Sequence, residues 1–172
     1  PDLAYRLATN TTYPSWGYMA EQGATTIWEL WNGDAANPMM NSGNHQMLLG
    51  DLLIWYYEYL AGIKTDDKEV AFKKIIMHPA FPAGLDSVTA SIDTRYGEVK
   101  SAWKKSAGEF SWDISIPPNA SADISLPAAN VGQITEGGKA LGQSPGLRII
   151  KEKEGKIRLT VGSGNYRFVI HP

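Results

Sequence analysis

Cysteine is absent from the 172-residue sequence, which excludes a disulfide framework, a thiolate zinc site and a cysteine nucleophile. The sequence also lacks an excess of basic charge, because it contains 16 Lys and Arg residues and 18 Asp and Glu residues. Nucleic-acid binding through a basic surface is therefore not expected. The net charge of −2 is too small, and the aromatic content of 10% too high, for a disordered chain.

Long hydrophobic runs are missing as well. The most apolar stretch, Met47–Ala61, is interrupted by Asp51 and Glu58 and is shorter than the roughly 20 residues that a bilayer span requires. The sequence also lacks a signal-peptide pattern and begins at Pro1 without a methionine. We therefore expect a globular piece of a longer protein with no membrane partner, and the compartment stays open.

Acidic and aromatic residues are concentrated in the first part of the chain. Residues 1–62 contain one basic and six acidic residues, whereas residues 63–172 contain 15 basic and 12 acidic ones. Four of the six Trp and six of the eight Tyr also lie in residues 1–62. Such a segment is typical of a pocket for a neutral polyhydroxylated ligand, where rings cover C–H faces and carboxylates bind hydroxyl groups.

The first part of the chain has the pattern of helices. Helices are predicted over residues 2–8, 15–22 and 44–61, the last with Ser42 or Asn44 as N-cap and Gly62 as its stop. Apolar residues occur nearly all round the third helix, which indicates burial on most sides. Residues 1–62 supply few partners for it, so we expect much of its packing to come from outside this chain.

From about Ile75 the apolar residues recur at every second position, as in half-buried strands. The alternating residues are Val88, Ala90 and Ile92; Phe110, Trp112, Ile114 and Ile116; Ile124 and Leu126; Ile157, Leu159 and Val161; and Tyr166, Phe168 and Ile170. Turn residues separate these runs, which predicts an antiparallel β-sandwich. The expected organisation is helices in residues 1–62, a connector in 63–74 and the sandwich in 75–172.

A single glutamate, Glu29, lies between Trp28 and Trp31, just before a glycine turn. A carboxyl group with apolar neighbours is suited to carrying a proton in general acid–base catalysis. The alternative is a partly buried structural glutamate that pairs with an arginine or caps a helix. The residues alone leave both interpretations open.

The three histidines do not form a metal site. His45 begins the predicted third helix and could direct a ring nitrogen into a site at the helix mouth, or simply cap or pack there. His78 and His171 have no partner at metal-ligand spacing, and no glycine-rich phosphate loop is present. We therefore expect neither a metal nor a cofactor. Trp103 and Trp112 could form a sugar-stacking face, although a place in the sandwich core is favoured.

Several motifs resemble one enzyme family. The runs Tyr13–Met19, Glu21–Glu29 and Met40–Asp51 match, in order, spacing and chemistry, the C-terminal end of the bacterial α-L-rhamnosidases, an inverting glycoside hydrolase family. All of these matching motifs lie within residues 1–62. The later half resembles the family's C-terminal β-sandwich more loosely, through His78-Pro79 and through Tyr96-Gly97 with Trp103-Lys104.

The resemblance implies a fold and a set of site residues. Residues 1–62 would be the last helices of an (α/α)6-barrel catalytic domain, followed by a jelly-roll-like antiparallel sandwich. Glu29 would be the general base, and His45 would contact the bound rhamnose. The candidate substrate-binding aromatic residues are Trp16, Trp28 and Trp31. The general acid would precede Pro1, so the implied partners are a rhamnose-containing glycoside or polysaccharide and the remainder of the catalytic domain.

The sequence departs from the family pattern in two places. Asn32 follows Trp31 where the family often has Asp, so a hydrogen bond made by that acid is not expected here. Only 15 residues separate Glu29 from His45, a shorter loop than the family's, so we expect a more open rim with a different aglycone preference. Two alternatives stay open: a carbohydrate-binding or structural sandwich without its own catalysis, and an (α/α)6 enzyme that acts on another sugar or is a lyase.

Overall fold

A computed structural model describes residues 1–144, 146–153 and 155–171. The chain forms two compact units, Pro1–Tyr56 and Tyr57–Pro172. Helices come first and two β-sheets follow, as the sequence predicts. None of the helices in the described ranges has the length and apolar character needed to cross a bilayer.

The first unit contains three short α-helices. They are α1 (Asp2–Thr9), α2 (Trp16–Glu21) and α3 (Leu49–Trp55), with a 3₁₀ turn at Gln46–Leu48 before α3. The Ser15 hydroxyl accepts a hydrogen bond from the Tyr18 backbone N–H at 2.9 Å and so caps α2. The residues between α2 and the 3₁₀ turn are irregular.

The third helical segment differs from the prediction of one helix over residues 44–61. It begins at Gln46 and continues after α3 as a π-helix over Tyr56–Ala61. The start is later because the His45 backbone N–H bonds the Ile27 carbonyl at 2.7 Å, outside any helix. The predicted stop is confirmed: Gly62 has φ of 72°, and a Cβ there would clash with the Pro79 backbone.

Apolar side chains of the first unit are widely exposed. Leu3, Leu7 and Met47 are 62%, 58% and 77% exposed, and Leu53 and Ile54 of α3 are about half exposed. Met19 is the single buried apolar side chain among the described residues of this unit. The described side chains of this unit therefore form no hydrophobic core of their own, which agrees with packing partners outside this chain.

The described residues of the second unit form eleven strands in two sheets. The strands are β1 (Ile63–Thr65), β2 (Lys74–Met77), β3 (Ser87–Thr94), β4 (Gly97–Ser106), β5 (Glu109–Ile116), β6 (Ser121–Leu126), β7 (Ile134–Glu136), β8 (Lys139–Ala140), β9 (Leu147–Lys153), β10 (Lys156–Val161) and β11 (Gly164–Ile170). Short 3₁₀ turns lie at Val131–Gln133 and Leu141–Gln143. The first sheet has the order β1-β2-β6-β10-β9 and the second β3-β4-β5-β11-β7-β8.

The pairing is antiparallel except between β2 and β6, which run parallel. The chain between these two strands forms β3, β4 and β5 of the second sheet, and this long crossover allows parallel pairing. Apolar residues of both sheets form one core, including Ile124 and Leu159 from the first sheet and Phe168 from the second.

The structure places a strand inside the predicted connector. β1 pairs with β2, and Ile63 is buried in the sandwich core. Residues 66–73 lie outside the strands and form turns. The predicted start of the sandwich at residue 75 therefore remains a prediction. The core of the second unit already includes Ala61.

Trp103 and Trp112 belong to this core. Their side chains are 1% and 0% exposed, so the core interpretation is confirmed and the sugar-stacking one is wrong. Each indole N–H has a buried partner: Trp103 Nε1 donates to the Leu60 carbonyl at 2.7 Å, and Trp112 Nε1 donates to the Ser101 hydroxyl at 2.9 Å. Buried indoles require such partners.

Candidate functional site

Two irregular segments of the first unit, residues 26–30 and 41–45, lie side by side. Backbone hydrogen bonds join them, from Glu29 N to Ser42 O at 2.9 Å and from His45 N to Ile27 O at 2.7 Å. Between the segments the chain reverses through consecutive turns over residues 31–39. We call this pair of segments the paired loop.

Glu29 is held by the segment opposite. Besides the backbone bond to Ser42, Glu29 Oε2 accepts a hydrogen bond from the Ser42 backbone N–H at 3.0 Å. The next amide, Leu30 N–H, donates to Asn41 Oδ1 at 3.1 Å. The side chain of Glu29 is exposed, and among the described residues no hydrogen bond reaches its Oε1. One carboxylate oxygen is thus fixed, and the other is open to solvent.

The bond from Ser42 also bears on the structural interpretation of Glu29. Within the described ranges the carboxylate bonds a backbone N–H of the paired loop; no ion pair to an arginine is found. An exposed carboxylate with one fixed oxygen can still accept a proton on the other. The geometry is therefore compatible with proton transfer.

His45 lies on the segment opposite Glu29. Its backbone bond to Ile27 places it at the end of the paired loop, immediately before the 3₁₀ turn that leads into α3, and its side chain is half-buried. The structure therefore brings Glu29 and His45, which are 16 positions apart in the sequence, onto adjacent paired segments.

The indole of Trp28 packs on the turn that follows Glu29. A Cβ at Gly33 would lie 2.6 Å from the Trp28 ring, so only glycine admits the ring at this position. One face of the Trp28 indole is consequently covered by the backbone of the turn at Gly33. This contact assigns Trp28 a packing role that the sequence did not predict.

Trp16 and Trp31 meet edge to face, with ring centroids 5.6 Å apart. Trp31 remains 39% exposed. Beside them the Tyr18 hydroxyl donates to Asp34 Oδ2 at 3.1 Å. Desolvation is the main cause that raises the pKa of Tyr18, and the Asp34 carboxylate raises it further. These contacts fasten the turn after Glu29 to α2. An edge-to-face pair with an exposed ring can cover the C–H face of a sugar.

The sequence does not assign site roles to Asn41 and Asp34, and it proposes Ser42 only as a candidate helix N-cap. Their contacts with Glu29, Leu30 and Tyr18 arise from the course of an irregular loop, which leaves no periodic signal. The only sequence signal was the presence of Asn41 and Ser42 in the Met40–Asp51 motif.

No cluster of three or more His, Asp or Glu side chains that could hold a metal is found in the part of the chain that the structure describes. In the second unit, two adjoining grooves of about 470 and 290 Å³ follow the outer side of β5 and β11 and share Ser115 and Asn165. The smaller groove includes Asp113, which pairs with Arg167 at 3.1 Å. Apart from Tyr166 the two grooves contain no aromatic side chain.

Family comparison agrees with the motifs in both units. Residues 1–60 match the model of the bacterial alpha-L-rhamnosidase 6 hairpin glycosidase domain, and residues 62–141 match that of the bacterial alpha-L-rhamnosidase C-terminal domain. The chain belongs to the bacterial α-L-rhamnosidase family. In this family member the paired loop lies within the segment that matches the glycosidase domain.

Individual relatives extend the match over nearly the whole chain. An alpha-L-rhamnosidase of Formosa agariphila is 37% identical over 172 residues, which is 97% of this chain and 18% of the relative. One from Streptomyces avermitilis is 30% identical over 174 residues, or 98% of this chain and 16% of the relative. The chain thus spans less than a fifth of these curated relatives.

Solved structures of α-L-rhamnosidases have the same fold. The Streptomyces avermitilis enzyme complexed with L-rhamnose is 29% identical with a TM-score of 0.85, covering 98% of this chain and 16% of that chain. The Dictyoglumus thermophilum enzyme is 32% identical with a TM-score of 0.82, covering 99% of this chain and 19% of that chain.

Proposed function

We propose that this chain is part of an α-L-rhamnosidase that removes terminal α-L-rhamnose from glycosides or polysaccharides, and that Glu29 is its general base. The observation that best supports this role is the hydrogen bond from Ser42 N–H to Glu29 Oε2, which leaves Oε1 open. The family membership and the named relatives support the reaction class.

An inverting glycosidase needs two carboxyl groups about 6.5–9.5 Å apart with a water between them. In the proposed reaction Glu29 Oε1 takes a proton from that water as its oxygen attacks the anomeric carbon. The attack comes from the face opposite the leaving group. A general acid gives a proton to the glycosidic oxygen as its bond to the anomeric carbon breaks. We place that acid in residues outside this chain, and infer that the chain alone is inactive.

The other candidate site residues have binding or packing roles in this proposal. His45 bonds a rhamnose hydroxyl from the segment opposite Glu29. Trp31, in edge-to-face contact with Trp16, covers a C–H face of the sugar, while Trp28 packs on Gly33 and stiffens the turn. The exposed apolar side chains of α1 and α3 pack against the remainder of the catalytic domain.

The test is Glu29→Gln in the full-length enzyme. Gln keeps the shape of the side chain and an oxygen for the Ser42 N–H, but it cannot take a proton from water. We expect kcat to fall by about 10²–10⁴ with little change in KM, which is the usual contribution of a general base. Added azide should restore turnover and give a β-L-rhamnosyl azide, because a small anion can attack from the face of the missing base.

The matched control is Glu21→Gln, which removes an exposed carboxylate at the end of α2. Its rate should stay at the wild-type level. If Glu29→Gln keeps kcat within about threefold of the wild type, the loss is too small for a missing base, and Glu29 is structural.

A further inference from the structure

Two side chains close the paired loop on either side of the Glu29–Ser42 contact. The Thr26 hydroxyl donates to the Gly43 carbonyl at 2.6 Å, and Asn41 Oδ1 accepts from Leu30 N–H at 3.1 Å. Between these bonds lies the backbone pair of Glu29 with Ser42. The two segments belong to no sheet, so their register depends on these few bonds.

We propose that Thr26 and Asn41 are positioning residues that hold the Glu29 carboxylate in its reactive place. This inference rests on the proposed role of Glu29 as general base. Thr26 holds the segment that ends at His45, and Asn41 holds the peptide that follows Glu29.

The physical reason is the dependence of the carboxylate on register. Glu29 Oε2 bonds the N–H of the same residue whose carbonyl accepts the Glu29 N–H. A slip of one segment along the other therefore moves the carboxylate together with its backbone. Displacement of a reacting group by about 1 Å can cost on the order of 10²-fold in rate.

The exposure of the loop makes the side-chain bonds matter more. Thr26, Glu29 and Gly43 are all exposed, so water can compete for the hydrogen bonds that these residues make. Each side-chain bond adds a further point at which the segments must separate before they can slip. The loss of one bond should loosen the loop without unfolding the protein, since exposed bonds contribute little to global stability.

The experiment compares Thr26→Val with Thr26→Ser in the full-length enzyme, using an aryl α-L-rhamnoside. Val keeps the branched shape and removes the donor, whereas Ser keeps the donor. We expect Thr26→Val to lower kcat by about five- to tenfold, a fraction of the cost of a 1 Å displacement, with KM within twofold. Thr26→Ser should retain wild-type kcat, and Asn41→Ala should reproduce the effect of Val. The thermal midpoints of all variants should match the wild type.

A double-mutant cycle separates positioning from general structure. In a Glu29→Gln background, Thr26→Val should cause no further loss in the residual rate, because there is no base left to position. A loss by the same factor in both backgrounds would overturn the inference, as would a Thr26→Val enzyme with wild-type kcat. If Glu29→Gln itself keeps wild-type activity, the proposed function fails as well, whereas a Glu29-dependent enzyme insensitive to Thr26 and Asn41 refutes the positioning role alone.

Discussion

At the scale of single residues, His78 combines burial with nearby positive charge. Its Nε2 is buried and has no hydrogen-bond partner among the described residues, while its backbone N–H bonds the Gly62 carbonyl at 3.1 Å. Burial lowers the pKa of His78, and Arg158 and Lys156 lower it further; Asp123 acts weakly in the opposite direction. The neutral imidazole is the form that the fold accommodates.

This environment predicts a pH-dependent stability. Because the pKa of His78 is lower in the folded chain than its ordinary value of about 6.5, the unfolded chain binds the proton more readily. The free energy of unfolding should therefore decrease as pH falls from about 7 to 5. Urea unfolding followed by circular dichroism should show a smaller decrease for His78→Gln. His171→Gln, which removes an exposed imidazole, should leave the wild-type dependence unchanged; an equal effect of both variants would contradict the assignment.

The site could be predicted only in part at this scale. Their chemistry and the family motifs indicate Glu29 and His45 as site residues, and the fold brings their segments together. The sequence did not indicate that Ser42 would bond the Glu29 carboxylate. Such contacts depend on how an irregular loop returns on itself, and neither composition nor periodicity encodes that path.

At the scale of elements, the π-helix ends on a buried hydrogen-bond chain. The Leu60 carbonyl accepts from Trp103 Nε1, and the Ala61 carbonyl accepts from Ser101 Oγ, both at 2.7 Å. Ser101 Oγ in turn accepts from Trp112 Nε1 at 2.9 Å. Carbonyls at a helix end lack partners within the helix, so β4 supplies the donors, and Trp112 of β5 holds Ser101 in place.

Ser101→Ala should therefore lower the stability more than the loss of one oxygen atom suggests, because Ser101 is buried. It leaves two buried groups, the Trp112 N–H and the Ala61 carbonyl, without their partner. Because an unpaired buried group costs about 1–3 kcal/mol, we expect the free energy of unfolding to fall by about 2 kcal/mol or more in a urea titration. Ser111→Ala on the outward side of β5 is the control and should change it by less than about 0.5 kcal/mol. Equal losses for the two variants would contradict the role of Ser101.

Ser101 also explains why the alternating pattern of the sequence does not predict β4. The five predicted strands are present as β3, β5, β6, β10 and β11, because their inward positions are apolar. In β4 the inward positions are Val99, Ser101 and Trp103, and the polar residue in the middle interrupts the alternation. β1, β7 and β8 contain only two or three residues, too few for a periodic signal.

At the scale of the whole molecule, we propose that the sandwich is the independent folding unit. The sequence predicts its start at residue 75, after a connector over 63–74. The structure places Ala61 and Ile63 in its core and begins the second compact unit at Tyr57. The first unit, by contrast, buries a single apolar side chain among its described residues.

Limited proteolysis with a protease of broad specificity tests this organisation. We expect the first unit to be digested and a resistant piece to remain that begins near Tyr57 and includes β1, because burial protects backbone from cleavage. Mass spectrometry gives the ends of that piece. A resistant product that retains the first unit, or one that begins after residue 74, would refute the proposed unit.

The strand order has a consequence for the order of synthesis. β10 is the strand that joins β9 to β6, and β11 is the strand that joins β7 to β5. A growing chain that has emerged from the ribosome only as far as β9 therefore holds two incomplete sheets with unpaired edges. Contacts between distant parts of a sequence form slowly, and exposed edges invite pairing with other chains. The nascent sandwich thus exposes unpaired strand edges until β10 and β11 appear.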